Sequence, residues 1–432
     1  MKLFGSSGIR GIVNQKITPD LARRIGETVG ERNEKILIGR DPRKSGEMIR
    51  YALISGINSV GADTKDARII STSTLAFNTR YFDCGLMITA SHNPEEYNGI
   101  KFWNPDGSSF NTDQMKKIEH NFSNKKPDRA NWNSIGKHSK YEDPIKNHID
   151  AILNQLKTDL SQKVIIDCAN GPTGDITPKV LKKMGCEVTT FNAQPDGTFP
   201  GHPSEPTKQN LEDLSKMMQN SDRDLAIAHD GDGDRMVAFD KTGRFLGGDE
   251  LLALFADIRS GTVVVPVNSS MVIDELADDV IRTKVGDVFV SETLKENDAN
   301  FGGEPSGTWI FPEISYGPDG VFSAAYLTVL NEDIDIVEKV NNISKYPRKK
   351  ISLETKNKEE LMNKIKKMYR ETYTSDDLDF IDGVRFEEEE GWGLIRPSGT
   401  EPKIRITIEA KSENILSNMM EEAQTRIKEV KE

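Results

Sequence analysis

Apolar residues along this chain fall into two alternating patterns. One is the short unbroken run, as in Ile36-Leu-Ile38, Leu86-Met-Ile88, Val164-Ile-Ile166, Leu225-Ala-Ile-Ala228 and Val263-Val-Val265. Runs this short, rich in β-branched residues, predict strands buried on both faces. The spans are 35–38, 85–89, 163–167, 187–191, 225–228 and 263–267. The other pattern spaces apolar residues three or four apart over longer stretches, which predicts helices over residues 46–60, 177–184 and 271–280. Gly61 and Gly185 close the first two. Alternation of this kind implies parallel sheets covered by helices.

The pattern also divides the chain. Residues 121–141 are polar and scattered with Lys, Asn and Ser, which suits a linker. A new strand–helix unit begins after it, and another near Gly248. Beyond Tyr346 the order changes to strand, helix (359–373), several strands (380–410) and a final amphipathic helix (414–430), an α+β arrangement. The run Glu387 to Glu390 reads as a solvated hairpin tip. These boundaries give four units: 1–140, 141–247, 248–348 and 349–432.

Composition narrows the class. The 432 residues are 36% apolar and 29% charged, and Lys plus Arg (57) minus Asp plus Glu (69) leaves a net charge of −12. A surface so acidic disfavours nucleic acid. An anionic substrate therefore needs cations gathered into a pocket. Cys84, Cys168 and Cys186 are odd in number and form no CxxC pair, which suits reduced thiols in a cytoplasmic protein. The start, MKLFGSSGIRG, lacks the apolar stretch of a signal peptide, and no run is long enough to cross a membrane. The six histidines show no helical pairing.

Four segments carry candidate chemistry. In Asp230-Gly-Asp-Gly-Asp-Arg235 three carboxylates alternate with glycines, so one tight loop can turn Asp230, Asp232 and Asp234 onto a single hard cation. An EF-hand loop would need Gly at Arg235 and Glu at Lys241, and the sequence has neither. Three protein ligands leave positions open, as magnesium prefers when it also holds a phosphate. In Thr89-Ala-Ser-His-Asn-Pro94, Ser91 follows a strand end, where open α/β sheets present ligands. The Gly-x-Ser-x-Gly elbow of a Ser-His-Asp hydrolase is absent, and Lys101 lies within reach of an anion bound there. Arg396-Pro-Ser-Gly-Thr400, followed by Arg405, offers two hydroxyls, two guanidiniums and the N–H groups around Gly399 as an anion cradle. Glu304 and Ser306, in Gly302-Gly-Glu-Pro-Ser-Gly307, suit the vicinal hydroxyls of a sugar, although a plain turn would read the same way.

Together with Phe4-Gly-Ser-Ser-Gly-Ile-Arg-Gly11 and Thr283-Lys-Val-Gly-Asp287, these segments resemble the α-D-phosphohexomutase family over the whole chain, in the family's order. The match is closest to its archaeal phosphoglucosamine mutase and phosphomannomutase-like branch. The resemblance implies three similar α/β mixed-sheet domains plus a C-terminal α+β domain around a central cleft. It implies that Ser91 is a phosphoserine and that Asp230, Asp232 and Asp234 hold one Mg²⁺ together with a phosphoseryl oxygen. Arg10, His92, Lys101 and Arg235 would surround the transferring phosphoryl group. Glu304 and Ser306 would hold the sugar, and Arg396, Ser398, Gly399, Thr400 and Arg405 the phosphate that is not reacting. Thr308 stands where many bacterial members carry histidine.

The implied reaction exchanges phosphate between C1 and C6 of a hexose, with hexose 1,6-bisphosphate as intermediate and activator. The expected partners are small sugar phosphates, with no nucleic acid and no membrane, in a monomer or homodimer. Glucosamine phosphate, feeding UDP-N-acetylglucosamine synthesis, is the expected substrate. Mannose and glucose phosphates are alternatives, as are a magnesium-dependent sugar phosphatase and a non-catalytic sugar-phosphate sensor.

Overall fold

A computed structural model of the protein describes residues 3–5, 8–398 and 402–431. Four sheets follow one another along the chain. The first runs Ile9–Ile12, Tyr97–Trp103, Cys84–Ile88, Lys35–Arg40, Asp63–Ile69, His138–Lys140. Its last four strands are parallel, and its first two are antiparallel additions at one edge. In the second sheet Leu225–His229, Lys163–Asp167 and Glu187–Phe191 are parallel, and Met236–Asp240 and Phe245–Leu246 return antiparallel. The third repeats the scheme with Asp279–Thr283, Thr262–Pro266 and Phe301–Glu304, then the antiparallel Thr308–Ile310. The fourth is antiparallel throughout, with helices Lys358–Thr372 and Glu413–Lys431 packed on it.

The apolar runs by themselves read as parallel sheets; the structure has the mixed sheets that the family resemblance implies. Each of the first three sheets ends its parallel run in a hairpin, because a loop of only a few residues can join antiparallel neighbours but not parallel ones. Residues 121–141 are also more than a linker. Helix Thr112–Asn124 takes their start, and His138–Lys140 pairs with Asp63–Ile69. The span 271–280 splits into the short helix Val272–Leu276 and the edge strand Asp279–Thr283, since pairing with the buried Thr262–Pro266 outweighs helical spacing.

The core shows which units share their packing. One apolar cluster runs continuously from Ile149 to Val340 through the second and third units, and the first unit's cluster takes in Val288 of the third. The fourth unit has a core of its own, built from residues such as Ile365, Tyr369, Ile406 and Ile427. It meets the third through a small patch of Trp392 and Leu394 on Val267. Cys84, Cys168 and Cys186 are free and buried, and burial pushes the Cys84 thiol up to about 12. Among the described residues no helix is long and apolar enough to cross a membrane.

Candidate active site

All four chemistry-bearing loops are hairpin connections. The serine loop joins Cys84–Ile88 to Tyr97–Trp103, the acidic loop Leu225–His229 to Met236–Asp240, the sugar loop Phe301–Glu304 to Thr308–Ile310, and the arginine loop Gly391–Pro397 to Lys403–Ala410. Three of them leave the C-terminal end of a parallel strand, where open α/β sheets present ligands.

The first two loops meet. Ser91 is 1% exposed and sits at φ 54°, in the left-handed region that a non-glycine residue occupies only under local constraint. Its Oγ donates to Asp230 Oδ2 at 2.9 Å and lies 3.3 Å from His92 Nδ1. Lys101, on the strand leaving the serine loop, places Nζ 2.9 Å from Asp232 Oδ2 and 2.5 Å from Asp234 Oδ2. Close crossing of the strands here depends on Gly99, because a Cβ there would stand 2.3 Å from the Ile9 carbonyl oxygen. The first unit also grips the acidic loop through helix Thr72–Asn78. Thr72 N donates to Asp232 O at 2.8 Å, Thr72 Oγ1 to Asp232 Oδ2 at 2.6 Å, and Ser73 Oγ to Gly233 O at 2.7 Å.

The acidic loop fits a divalent cation. Asp230, Asp232 and Asp234 are buried, each can turn one oxygen to within 4.8 Å of the others, and Asp232 Oδ1 is buried with no hydrogen-bond partner. An orphaned carboxylate oxygen in such a place costs about 1–3 kcal/mol or more unless a cation or donor satisfies it. Burial raises the Asp230 carboxyl well above its usual range, with the Asp232 and Asp234 charges adding to the effect. Asp234 is raised for the same reasons. Burial acts on Asp232 too, but the Lys101 ammonium and the Thr72 hydrogen bond outweigh it and hold that carboxyl low. The three carboxylates are compensated in part by the Lys101 ammonium and the Arg235 guanidinium.

Cations surround Ser91 on the other side. Arg10, on strand Ile9–Ile12, has a buried Nε with no hydrogen-bond partner. Burial, then the charges of Arg235 and Arg10, pull the His92 imidazole down to about 3, so the ring is neutral at physiological pH. The main chain of Arg235 pairs with Thr308, and Met236 N donates to Gly307 O at 2.9 Å, which ties the acidic loop to the sugar loop.

In the sugar loop, Glu304 Oε1 accepts from Gly286 N at 2.8 Å and Ser306 Oγ lies 3.1 Å from Thr308 Oγ1. Burial pushes the Glu304 carboxyl up to about 7, helped by the nearby Asp287 charge and opposed by the Gly286 N–H, Arg235 and Arg396. Arg396 and Arg405 face each other across paired strands of the fourth unit. Directly opposed like charges repel. Arg396 Nη2 reaches Asp382 Oδ2 at 3.3 Å, and Ser398 N donates to Lys403 O at 2.8 Å. Gly399 and Thr400 lie outside the described residues.

The structure brings Ser91, His92, Lys101, Arg10, Arg235 and the three aspartates into one cluster, with Glu304 beside it. Sequence reasoning missed the groups that hold this cluster in shape: Asp41, Arg43, Thr72 and Thr89. For Asp41 and Arg43 a signal existed, since a charged pair around Pro42 directly after a buried strand marks a rigid, functional turn.

Models of the phosphoglucomutase/phosphomannomutase domains match the chain in order: α/β/α domain I over residues 1–129, α/β/α domain II over 139–243, α/β/α domain III over 247–342 and the C-terminal domain over 349–425. The chain belongs to the phosphoglucomutase/phosphomannomutase family, the phosphohexomutases, whose members are isomerases. It is 45% identical over 437 residues to a probable phosphoglucosamine mutase of Methanosarcina acetivorans, covering 99% of each chain. A probable phosphoglucosamine mutase of Methanococcoides burtonii is 47% identical over 418 residues, covering 95% of this chain and 96% of that one. In space the chain is similar to the crystal structure of a phosphoglucomutase/phosphomannomutase family protein from Burkholderia thailandensis, with TM-score 0.88 and 26% identity over 99% of this chain and 97% of that one.

Proposed function

We propose that the protein is a phosphoglucosamine mutase, interconverting glucosamine 6-phosphate and glucosamine 1-phosphate through a phosphorylated Ser91 and a hexosamine 1,6-bisphosphate. The observation that carries this reading is the 2.9 Å contact between Ser91 Oγ and Asp230 Oδ2, which joins a candidate phosphoryl carrier to a carboxylate cluster suited to a divalent cation. Asp230, Asp232, Asp234 and a phosphoryl oxygen on Ser91 would hold one Mg²⁺. When bound, that ion supplies positive charge against the phosphoryl oxygens as negative charge spreads over them.

The chain's own residues do the rest. In the forward step the bond between Ser91 Oγ and phosphorus breaks as the free sugar hydroxyl takes the phosphoryl group. The proton that the hydroxyl loses is the one Ser91 Oγ gains, and in the free serine Oγ keeps it and donates it in a hydrogen bond to Asp230 Oδ2. The bisphosphate turns over, and its other phosphoryl group returns to Ser91 as the proton goes back to the sugar. Lys101, Arg10 and Arg235 stabilise the transferring group by fixed charge, which matters most where the transition state is loose. Glu304 and Ser306 orient the sugar. Arg396, Ser398 and Arg405, with Gly399 and Thr400, anchor the phosphate at rest, so either end of the substrate can react. His92, neutral beside Ser91 Oγ, adds no charge to the transition state and serves as a hydrogen-bond partner.

Comparison of kcat/KM for glucosamine, mannose and glucose 1-phosphates, with Mg²⁺ and catalytic hexose 1,6-bisphosphate, tests the substrate. Glucosamine 1-phosphate is expected to be turned over best, with some activity on the other two. If it is the poorest by a wide margin, the glucosamine assignment is wrong. Steady release of inorganic phosphate in place of isomerisation would identify a phosphatase.

A further inference from the structure

The left-handed backbone at Ser91 needs a cause, and the loop's own sequence does not supply one. Pro94 is three residues away, and residue 91 itself is not glycine. The cause lies on the neighbouring strand's exit turn. Arg43 is 0% exposed, and among the described residues its guanidinium donates to main-chain carbonyls of the serine loop and of the strand start after it, and to one carboxylate. Nη2 reaches Ser91 O at 2.8 Å and Asn93 O at 2.6 Å, and Nη1 reaches Pro94 O and, at 3.1 Å, Tyr97 O. Nε binds Asp41 Oδ2 at 2.9 Å.

Asp41 completes the circuit. Its Oδ2 accepts from Thr89 Oγ1 at 2.7 Å, and Thr89 Oγ1 in turn accepts from Ser91 N at 2.8 Å. Both peptide groups of Ser91 are thus held, the N–H through Thr89 and Asp41, the carbonyl by Arg43. The outer face is closed by the second unit. Phe199 lies under the guanidinium at 4.9 Å, and Gly197 packs so closely that a Cβ there would stand 2.4 Å from Arg43 Cα. A planar fork with five donors can bind several carbonyls and a carboxylate at once, which an ammonium cannot.

We propose that Arg43, acting with Asp41 and Thr89, is the positioning residue for the phosphoryl carrier: it fixes the Ser91 backbone so that Oγ points at the acidic loop. Arg43 touches neither the sugar nor the transferring group in this arrangement, and its effect passes wholly through the serine loop. The inference rests on the reading of Ser91 given above. Loss of these hydrogen bonds lets Oγ wander by a fraction of its reach, and a displacement of about 1 Å at a reacting atom costs about 100-fold in rate.

The test uses two variants of the full-length protein, Arg43→Lys and Thr89→Val. Arg43→Lys keeps a cation beside Asp41, so the buried carboxylate is not stranded. Thr89→Val keeps the shape and removes the other half of the circuit, so the idea remains testable should the arginine variant fold poorly. Steady-state kinetics, phosphorylation of Ser91 by hexose 1,6-bisphosphate followed by intact mass, and thermal melting are measured together. The expected result for each variant is kcat lowered about 10- to 100-fold, slower phosphorylation of Ser91, KM for sugar phosphate within about twofold because no sugar contact is lost, and a melting temperature within a few degrees of the parent. A folded variant with parental kcat overturns the proposal, as does one whose loss appears in KM alone. If the parent protein itself never carries phosphate on Ser91, the proposed function fails instead.

Discussion

The transfer centre around Ser91 and the arginine clamp of the fourth unit, the facing pair Arg396 and Arg405, differ in how they are held. Ser91, Lys101 and the three aspartates come from two units, but hydrogen bonds from Ser91, Thr72, Ser73 and Lys101 cross that boundary, and nearly all of these groups are buried. The clamp belongs to a unit with a separate core. It touches the rest through Trp392 and Leu394 against Val267 and through a few polar ties, among them Glu409 accepting from Met271 N at 2.7 Å and Asp382 accepting from Val285 N at 3.4 Å. On the proposed mechanism labour is divided: the atoms that would break bonds are fixed against one another, whereas the residues that would anchor the resting phosphate sit on a unit with a core of its own.

If that division is right, substitutions in the centre should act on kcat and substitutions in the clamp on KM. Ser91→Ala removes the carrier, and steady-state assay should show kcat lower by about 10⁴-fold or more. Its affinity for sugar phosphate, measured by calorimetry, should stay near the parental value. Asp232→Asn leaves Lys101 paired with Asp234 but weakens the cation site. We expect kcat to drop about 10²- to 10³-fold, together with a rise in the Mg²⁺ concentration needed for half-maximal rate. Arg396→Ala should do the opposite. Loss of a charged hydrogen bond worth about 1.5–3 kcal/mol raises KM about 10- to 100-fold and leaves kcat within about threefold. A collapse of kcat in Arg396→Ala would break the comparison.

The smallest effect is that of pH on Glu304, which lies between the two regions. With its carboxyl at about 7 instead of the ordinary 4.5, it loses its charge, and so becomes a weaker acceptor for sugar hydroxyls, as the pH falls through neutrality. KM should therefore rise a few-fold between about pH 8 and about pH 6, a dependence that Glu304→Gln abolishes. Stability runs the other way. The folded chain holds this proton more tightly than the unfolded one, so the contribution is complete below 4.5 and is lost as pH rises through about 7. Urea unfolding of the parent and of Glu304→Gln at several pH values checks the sign.

The chemistry was legible in the sequence where it is local. Asp230, Asp232 and Asp234 lie within five residues, so spacing alone points to a cation loop, whereas Ser91 beside His92 at a strand end gains its role only from the family resemblance. What joins these loops was not legible. Lys101 and Asp232 are 131 residues apart in the chain, and Thr72 and Asp232 are 160 apart. No periodicity encodes such contacts. The strand His138–Lys140 escaped for another reason: it is three exposed polar residues, held by backbone pairing that leaves no trace in side-chain pattern. The antiparallel returns entered only through the family resemblance to mixed sheets, because hairpin and crossover strands share the same apolar runs, although the short Gly- and Pro-marked loops between them were the available sign.

The most direct measurement is the phosphorylation state of Ser91 during turnover. Protein incubated with Mg²⁺ and hexose 1,6-bisphosphate should gain one phosphoryl group on the peptide bearing Ser91, seen by intact mass and peptide mapping, and should lose it to stoichiometric glucosamine 6-phosphate. Turnover by a protein whose Ser91 is never modified would contradict the account.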